Sequence, residues 1–122
     1  MHVLLLCCLS YFDIELGIMN SDSHRFLYSG LIRLHLLHHA AAEPIFGLGM
    51  VEELGRHGYK LSVGTLYPIL HGLETRGYLR SRQQRIGKTV RRVYKATPVG
   101  RRALLAAKRK VQELFGELFE HE

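Results

Sequence analysis

The chain has 122 residues, 47% of them hydrophobic, which suffices for one compact domain and not for two. Its formal net charge is +6 and its pI is near 9.6, a balance that favours an anionic partner. The two cysteines, Cys7 and Cys8, are adjacent, so they make no secreted disulfide framework and a reducing cytoplasm is the expected location.

Residues 1–18 are apolar from Val3 to Leu9 and mixed afterwards. No Lys or Arg precedes the apolar run, no small-residue cleavage pattern follows it, and it falls well short of the roughly 18 apolar residues of a membrane span. Neither export nor membrane insertion is expected. Met19 opens a second start, Met-Asn-Ser-Asp-Ser-His, so residues 1–18 read as a mis-called beginning or a loose leader, and residues 1–24 as lying outside the folded domain.

A first helix is expected over residues 25–42, with Leu27, Leu31, Leu34 and Leu37 or His38 along its buried side and Glu43-Pro44 ending it. Within it His35, His38 and His39 invite a metal reading, since positions four apart share a helix face. No Glu follows His35 as His-Glu-x-x-His requires, and no third ligand stands at a recognisable spacing, so they read as partly exposed structural histidines with no metal and no cofactor. A second helix is expected from Ile45 to Arg56, burying Leu48, Val51 and Leu54 and exposing Glu52 and Glu53, before His57-Gly58-Tyr59-Lys60 turns the chain.

The stretch from Leu61 to Leu79 reads as a third, short amphipathic helix with Leu66, Ile69, Leu70 and Leu73 buried. Ser62 or Thr65 can cap it. Thr65 as cap would leave Pro68 among the first positions, where its missing N–H costs nothing, whereas Ser62 would require an irregular first turn. Arg76 followed by Gly77 suits the other end. The outward face carries Gly64, Pro68, His71, Gly72 and Thr75, flanked by Thr65 and Tyr67, where an ordinary solvated helix carries Lys and Glu. Short side chains let a backbone approach another surface closely, with hydroxyls and an imidazole free to bond phosphates or base edges. Packing on a partner subunit is the alternative use of such a face.

After Gly77 the period changes from helix to strand. Tyr78 to Gln83 and Val90 to Ala96 have strand character, and the connection from Gln84 to Thr89 holds Gly87, which suits a hairpin. From Arg80 to Arg102 the chain places Arg80, Arg82, Arg85, Lys88, Arg91, Arg92, Lys95, Arg101 and Arg102 with no Asp or Glu between them. A basic hairpin directly after a helix-turn-helix is the wing of a winged helix, laid along phosphates or into a minor groove. A solvated edge ribbon protected by charge is the other reading. Thr97-Pro98 then opens a last helix, with Leu104, Ala107, Val111, Leu114 and Leu118 in the a/d spacing of a helix seeking a partner and Phe115 and Phe119 on a second apolar edge. That surface is expected to fold back on residues 27–37 and to pair with a second copy.

Several stretches carry a resemblance. Tyr28-Ser29-Gly30-Leu31, Phe46-Gly47, the run from Leu61 through Gly64-Thr65-Leu66-Tyr67-Pro68 to Glu74, Gly77, and Tyr94-Lys95-Ala96-Thr97-Pro98-Val99-Gly100-Arg101 together look like the PadR family of bacterial transcriptional regulators over residues 25–105. The resemblance implies a mainly α fold with a small β-hairpin: a winged helix-turn-helix over residues 25–97 and a C-terminal dimerisation helix over residues 98–122. It also implies a repressor of double-stranded DNA, homodimeric, released from its operator by a small effector. The short tail resembles the compact branch with a single dimerisation helix. Carried over by position, Ser62, Gly64, Thr65, Tyr67, Pro68 and His71 would meet the operator and Lys88, Arg91 and Arg92 would form the wing contacts. Phe115 and Phe119 would line a cavity for an aromatic compound between subunits. Compact relatives that bind flat drugs use an interface tryptophan, and this chain has no Trp.

Two other functions remain open on sequence alone. One is general RNA binding by the same basic module, although nothing resembles an RNP aromatic strand or a Gly-x-x-Gly clamp. The other is a metal-dependent enzyme built on His35, His38 and His39. No Ser/His/Asp set, paired-carboxylate cleft or phosphate-cradling loop can be assembled, so no catalysis is expected.

Overall fold

The computed structural model describes residues 24–120, so the leader and its two cysteines lie outside the described residues. The chain divides into two compact units, Met1–Gly30 and Leu31–Glu122. In the first, the described residues are the opening turns of a helix, where Ser29 Oγ donates to the Phe26 carbonyl at 2.9 Å. The elements are α1 (Arg25–Ala42), β1 (Ile45–Phe46), α2 (Gly47–Arg56), α3 (Val63–Thr75), β2 (Leu79–Ile86), β3 (Thr89–Ala96) and α4 (Pro98–Phe119). This is a mostly helical winged fold with a small antiparallel sheet in the order β1-β3-β2.

The core of the second unit gathers one stripe from each helix and one face of the sheet. Ile32 and Leu36 of α1, Leu54 of α2, Leu66 and Leu70 of α3 and Leu79 of β2 are sealed from solvent, with Tyr94 and Ala96 beside them. On α1 this stripe is the expected one only at Leu37, with Leu34 half-buried beside it. Ile32, Leu36, Leu37 and Ala40 face the core, while Leu27 and Leu31 are exposed. Leucine spacing offered two faces of similar apolarity, and the packing of α2 and α3 selected the one bearing Ile32 and Ala40. On α2, likewise, Met50 and Leu54 are buried and Leu48 is exposed.

The second helix begins later than its periodicity suggests. Ile45 and Phe46 pair antiparallel with Tyr94 and Val93 at the open edge of β3, where their backbone groups find partners, and α2 starts at Gly47. Both α2 and α3 end in the same device. Gly58 (φ +89°) and Gly77 (φ +83°) take the left-handed conformation, and Tyr59 N–H bonds Leu54 O at 2.9 Å as Tyr78 N–H bonds Leu73 O at 2.9 Å. These are Schellman turns, which only a residue without Cβ enters cheaply.

α4 is anchored at its start. Thr97 Oγ1 accepts from Gly100 N–H at 3.0 Å and donates to the Gly77 carbonyl at 2.5 Å. A Cβ on Gly100 would stand 2.1 Å from the Tyr78 carbonyl oxygen. Glycine is therefore what lets α4 approach the turn after α3. Gly100 and Leu104 are buried, but the rest of the expected seam is not: Val111, Leu114, Phe115, Leu118 and Phe119 are 44–58% exposed. Between α1 and α4 an apolar groove of about 510 Å³ remains, walled by Leu31, Leu34 and His35 on one side and Leu104, Val111 and Phe115 on the other. The expected fold-back is thus complete only around Leu104. Among the described residues, no helix is long and apolar enough to cross a membrane.

Candidate nucleic-acid interface

The cap of α3 is Ser62, whose Oγ accepts from Thr65 N–H at 3.2 Å. The Thr65 N–H also bonds the Ser62 carbonyl at 3.1 Å, so the opening turn is tight. Pro68 consequently lies inside the helix, in its second turn, and leaves the Gly64 carbonyl without the N–H that would otherwise bond it. Gly64 itself lies on the exposed surface. Ser62, Gly64, Tyr67, Pro68 and His71 all stand on the exposed surface of α3. Thr65 is half-buried, with its hydroxyl 3.1 Å from Ser62 Oγ.

Tyr67 does two things at once. A Cβ on Gly47 would lie 2.8 Å from its ring and hydroxyl, so the ring rests against the first residue of α2. The helix-turn-helix angle is therefore set partly by a side chain that is also on the outer face. Glu74, at the far end of α3, ties the helix to the hairpin: Ser81 N–H donates to its carboxylate at 2.7 Å. That hydrogen bond, reinforced by the charges of Arg92 and His71, holds the Glu74 carboxyl below its ordinary range despite partial burial. Tyr94, within the core, is shifted the other way because burial disfavours its phenolate.

The hairpin is longer and tighter than its sequence suggests. β2 runs through Ile86, which pairs with Thr89, so the connection is only Gly87-Lys88. Gly87 has φ +60° and Lys88 a negative φ, the sign pattern of a type II′ turn, whose twist matches that of the flanking strands. Gln84, Arg85 and Ile86 are drawn into the ladder because such a turn lets pairing continue to the tip.

Register sorts the charges. Arg80, Arg82 and Gln84 pair with Lys95, Val93 and Arg91 on one face, and Ser81, Gln83 and Arg85 with Tyr94, Arg92 and Val90 on the other. Of the three expected wing residues, Lys88 is at the tip, and Arg91 and Arg92 project to opposite faces. Arg91 lies over the Phe46 ring, 3.7 Å from its centroid, and its Nε donates to Gln84 Oε1 at 3.3 Å. Arg92 donates to Ser81 Oγ at 2.8 Å. The basic face thus includes Arg80, Arg82 and Lys95 along with Arg91. Their period-two spacing was the available signal.

One cluster was missed in part. His35 and His39 of α1 meet His57 at the C-terminal end of α2, and the three imidazoles place ring nitrogens within 4.8 Å of one another. His35 and His57 stack with centroids 4.7 Å apart. Burial, then the neighbouring imidazoles of His57, His39 and His38, holds the pKa of His35 below its usual value. His38 turns toward the α1–α4 groove instead.

Comparison with known proteins agrees with this architecture. Residues 36–106 match the model of the transcriptional regulator PadR-like family. The chain is 51% identical over 87 residues to the transcriptional regulator Rv3488 of Mycobacterium tuberculosis, covering 71% of this chain and 81% of that one. It superposes on a PadR family transcriptional regulator from Eggerthella lenta with a TM-score of 0.72 at 28% identity, covering 93% of this chain and 99% of the other. A PadR-like transcription factor from Bacteroides fragilis shares the fold with a TM-score of 0.68 at 21% identity, over 79% and 94% of the two chains. With its winged helix-turn-helix and this family match, the chain belongs to the PadR-like family of transcriptional regulators.

Proposed function

We propose that the protein is a dimeric, compact repressor that reads a palindromic operator with α3 and releases it when a small effector binds. The observation that carries this reading is the pairing of two surfaces across one hydrogen bond. The lysine-free, acid-poor outer face of α3 is held by Glu74 against a hairpin whose strands carry no acidic residue. Ser62, Gly64, Thr65, Tyr67, Pro68 and His71 form the base-reading surface, where short side chains permit close approach. Lys88, Arg91 and Arg92 contact phosphate, with Arg80, Arg82 and Lys95 adding to the field. Residues 25–97 make the DNA-binding module and residues 98–122 the dimerisation helix, its Leu104, Ala107, Val111, Leu114, Phe115, Leu118 and Phe119 packing on a second copy and on the α1–α4 groove. Phe115 and Phe119, with ring centroids 4.8 Å apart, offer an aromatic effector a stacking surface at that interface. Such a chain acts in the cytoplasm, without catalysis.

A mobility-shift titration on the DNA upstream of its own gene, with random duplex and a single-stranded RNA as competitors, tests the reading. Tight binding to one palindromic fragment that random DNA does not displace supports it. Equal affinity for all three nucleic acids would replace it with a general binding protein.

A further inference from the structure

We infer that His35, His39, His57 and Glu53 form a binding site for one divalent transition-metal ion, joining the last turns of α1 to the C-terminal end of α2. The donors come from separate elements: His35 and His39 lie one helical turn apart on α1, Glu53 is on α2, and His57 is the cap residue in the turn that closes that helix. A tetrahedral ion bound at about 2.0–2.1 Å needs ligand atoms roughly 3.3 Å apart. Glu53 Oε1 stands 3.6 Å from His39 Nε2 and 3.4 Å from His57 Nε2, so the carboxylate is already at nearly that spacing from two of the imidazoles, which lie within 4.8 Å of each other. A ring nitrogen of His35 lies within 4.8 Å of those of His39 and His57, and rotation of its side chain would bring it into the same shell as Glu53. Arg56 bonds the other carboxylate oxygen of Glu53, which orients the ligand as outer-shell partners do in metal sites.

The donor set names the ion class. Three imidazoles and one carboxylate, with no thiolate, suit Zn²⁺, Co²⁺ or Ni²⁺ rather than Mg²⁺ or Ca²⁺, which prefer all-oxygen shells. An ion–carboxylate pair only partly screened from water also explains why three imidazoles are crowded together at all, since each would repel the others once protonated. The position gives the ion a route to regulation. His35 also walls the α1–α4 groove, so drawing its ring toward the ion reshapes the surface on which the second copy rests. That regulatory half rests on the proposed dimeric repressor, whereas the binding half does not.

The test is a titration of the untagged full chain with Co²⁺, read by its visible absorption and followed by displacement with Zn²⁺. The same titration is made on Cys7→Ser/Cys8→Ser, His35→Ala, His57→Ala and Glu53→Gln, with circular dichroism checking each fold. The expected result is one ion per chain with the absorption of a four-coordinate nitrogen and oxygen site, unchanged in the cysteine variant. His35→Ala and His57→Ala should weaken binding by at least the ~10–100-fold that loss of an outer-shell partner costs. Absence of Co²⁺ binding, a sulfur-to-cobalt charge-transfer band abolished in the cysteine variant, or full affinity in a folded His57→Ala chain overturns the site. A parallel operator titration with metal-free and Zn²⁺-loaded protein separates the two readings. If the loaded and metal-free proteins bind DNA equally, the regulatory half fails and the ion is structural; if neither binds DNA while Co²⁺ still binds, it is the DNA reading that falls.

Discussion

Glu74 makes the connection between α3 and the wing pH-dependent. Its folded pKa lies below the unfolded value because the Ser81 N–H, Arg92 and His71 favour the carboxylate. The stabilisation is therefore fully present above the ordinary glutamate range and fades as pH falls through the folded pKa. Glu74→Gln should lower stability by about 1 kcal/mol at neutral pH, and denaturant melts of the two proteins should converge in acid. A gap that persists unchanged below the folded pKa would show that the charge is irrelevant. At Gly100 the constraint is steric. Gly100→Ala forces a methyl into the Tyr78 carbonyl oxygen, so α4 must shift, and a loss of about 1–3 kcal/mol is expected in thermal or denaturant unfolding. Tyr67→Ala and Thr65→Ala should each weaken operator binding by about 1–3 kcal/mol. Because the Tyr67 ring also rests on Gly47, its variant should lose some thermal stability as well, and Thr65→Ala separates reading from packing.

Among elements, the wing is where the sequence was partly legible. Arginine and lysine without intervening acids announced a basic hairpin, and Gly87 marked its turn, but the pairing register could not be read off residues of uniform polarity. The six residues from Gln84 to Thr89 look like a loop until a II′ turn is known to sit at Gly87-Lys88. The third helix was more legible because Leu66, Leu70 and Leu73 define a single stripe, whereas α1 carries apolar residues on two sides and the choice between them is made by distant partners. Ser62 as cap was one of two readable options. The choice depended on whether the helix tolerates Pro68 in its second turn, a tertiary matter. The histidine cluster lacked a sequence signature because His57 and Glu53 approach α1 only through helix packing. For the wing itself, Lys88→Ala should reduce affinity for operator and random DNA alike and make the slope of log affinity against log salt shallower by about one unit. Arg91→Ala should do the same with an added cost, since Phe46 loses the guanidinium stacked on it. Loss confined to operator DNA with an unchanged slope would indicate base reading.

At the scale of the whole molecule, the exposed apolar edge of α4 is the surface proposed to govern assembly. Two α3 helices related by a twofold axis reach successive major grooves when their centres are about 34 Å apart. Leu114→Asp with Leu118→Asp places charges on that edge, well beyond the core anchored at Leu104, and should yield chains that sediment as monomers, keep the helical circular dichroism of the module and no longer hold a palindromic site. A wild-type chain that sediments as a monomer at micromolar concentration while gripping its operator as a single copy would sink this expectation. The Glu74–Ser81 hydrogen bond has a further consequence at this scale. With the hairpin hung from the carboxylate of α3 and braced on Phe46 through Arg91, helix and wing would, in the proposed reading, meet a duplex like the two edges of one stamp. A stamp of fixed outline is re-addressed by recutting its letters or by moving it relative to its twin. Chains built this way would diverge in target at positions 64, 67, 68 and 71 and in the spacing imposed by α4, while the angle between helix and wing stays as it is.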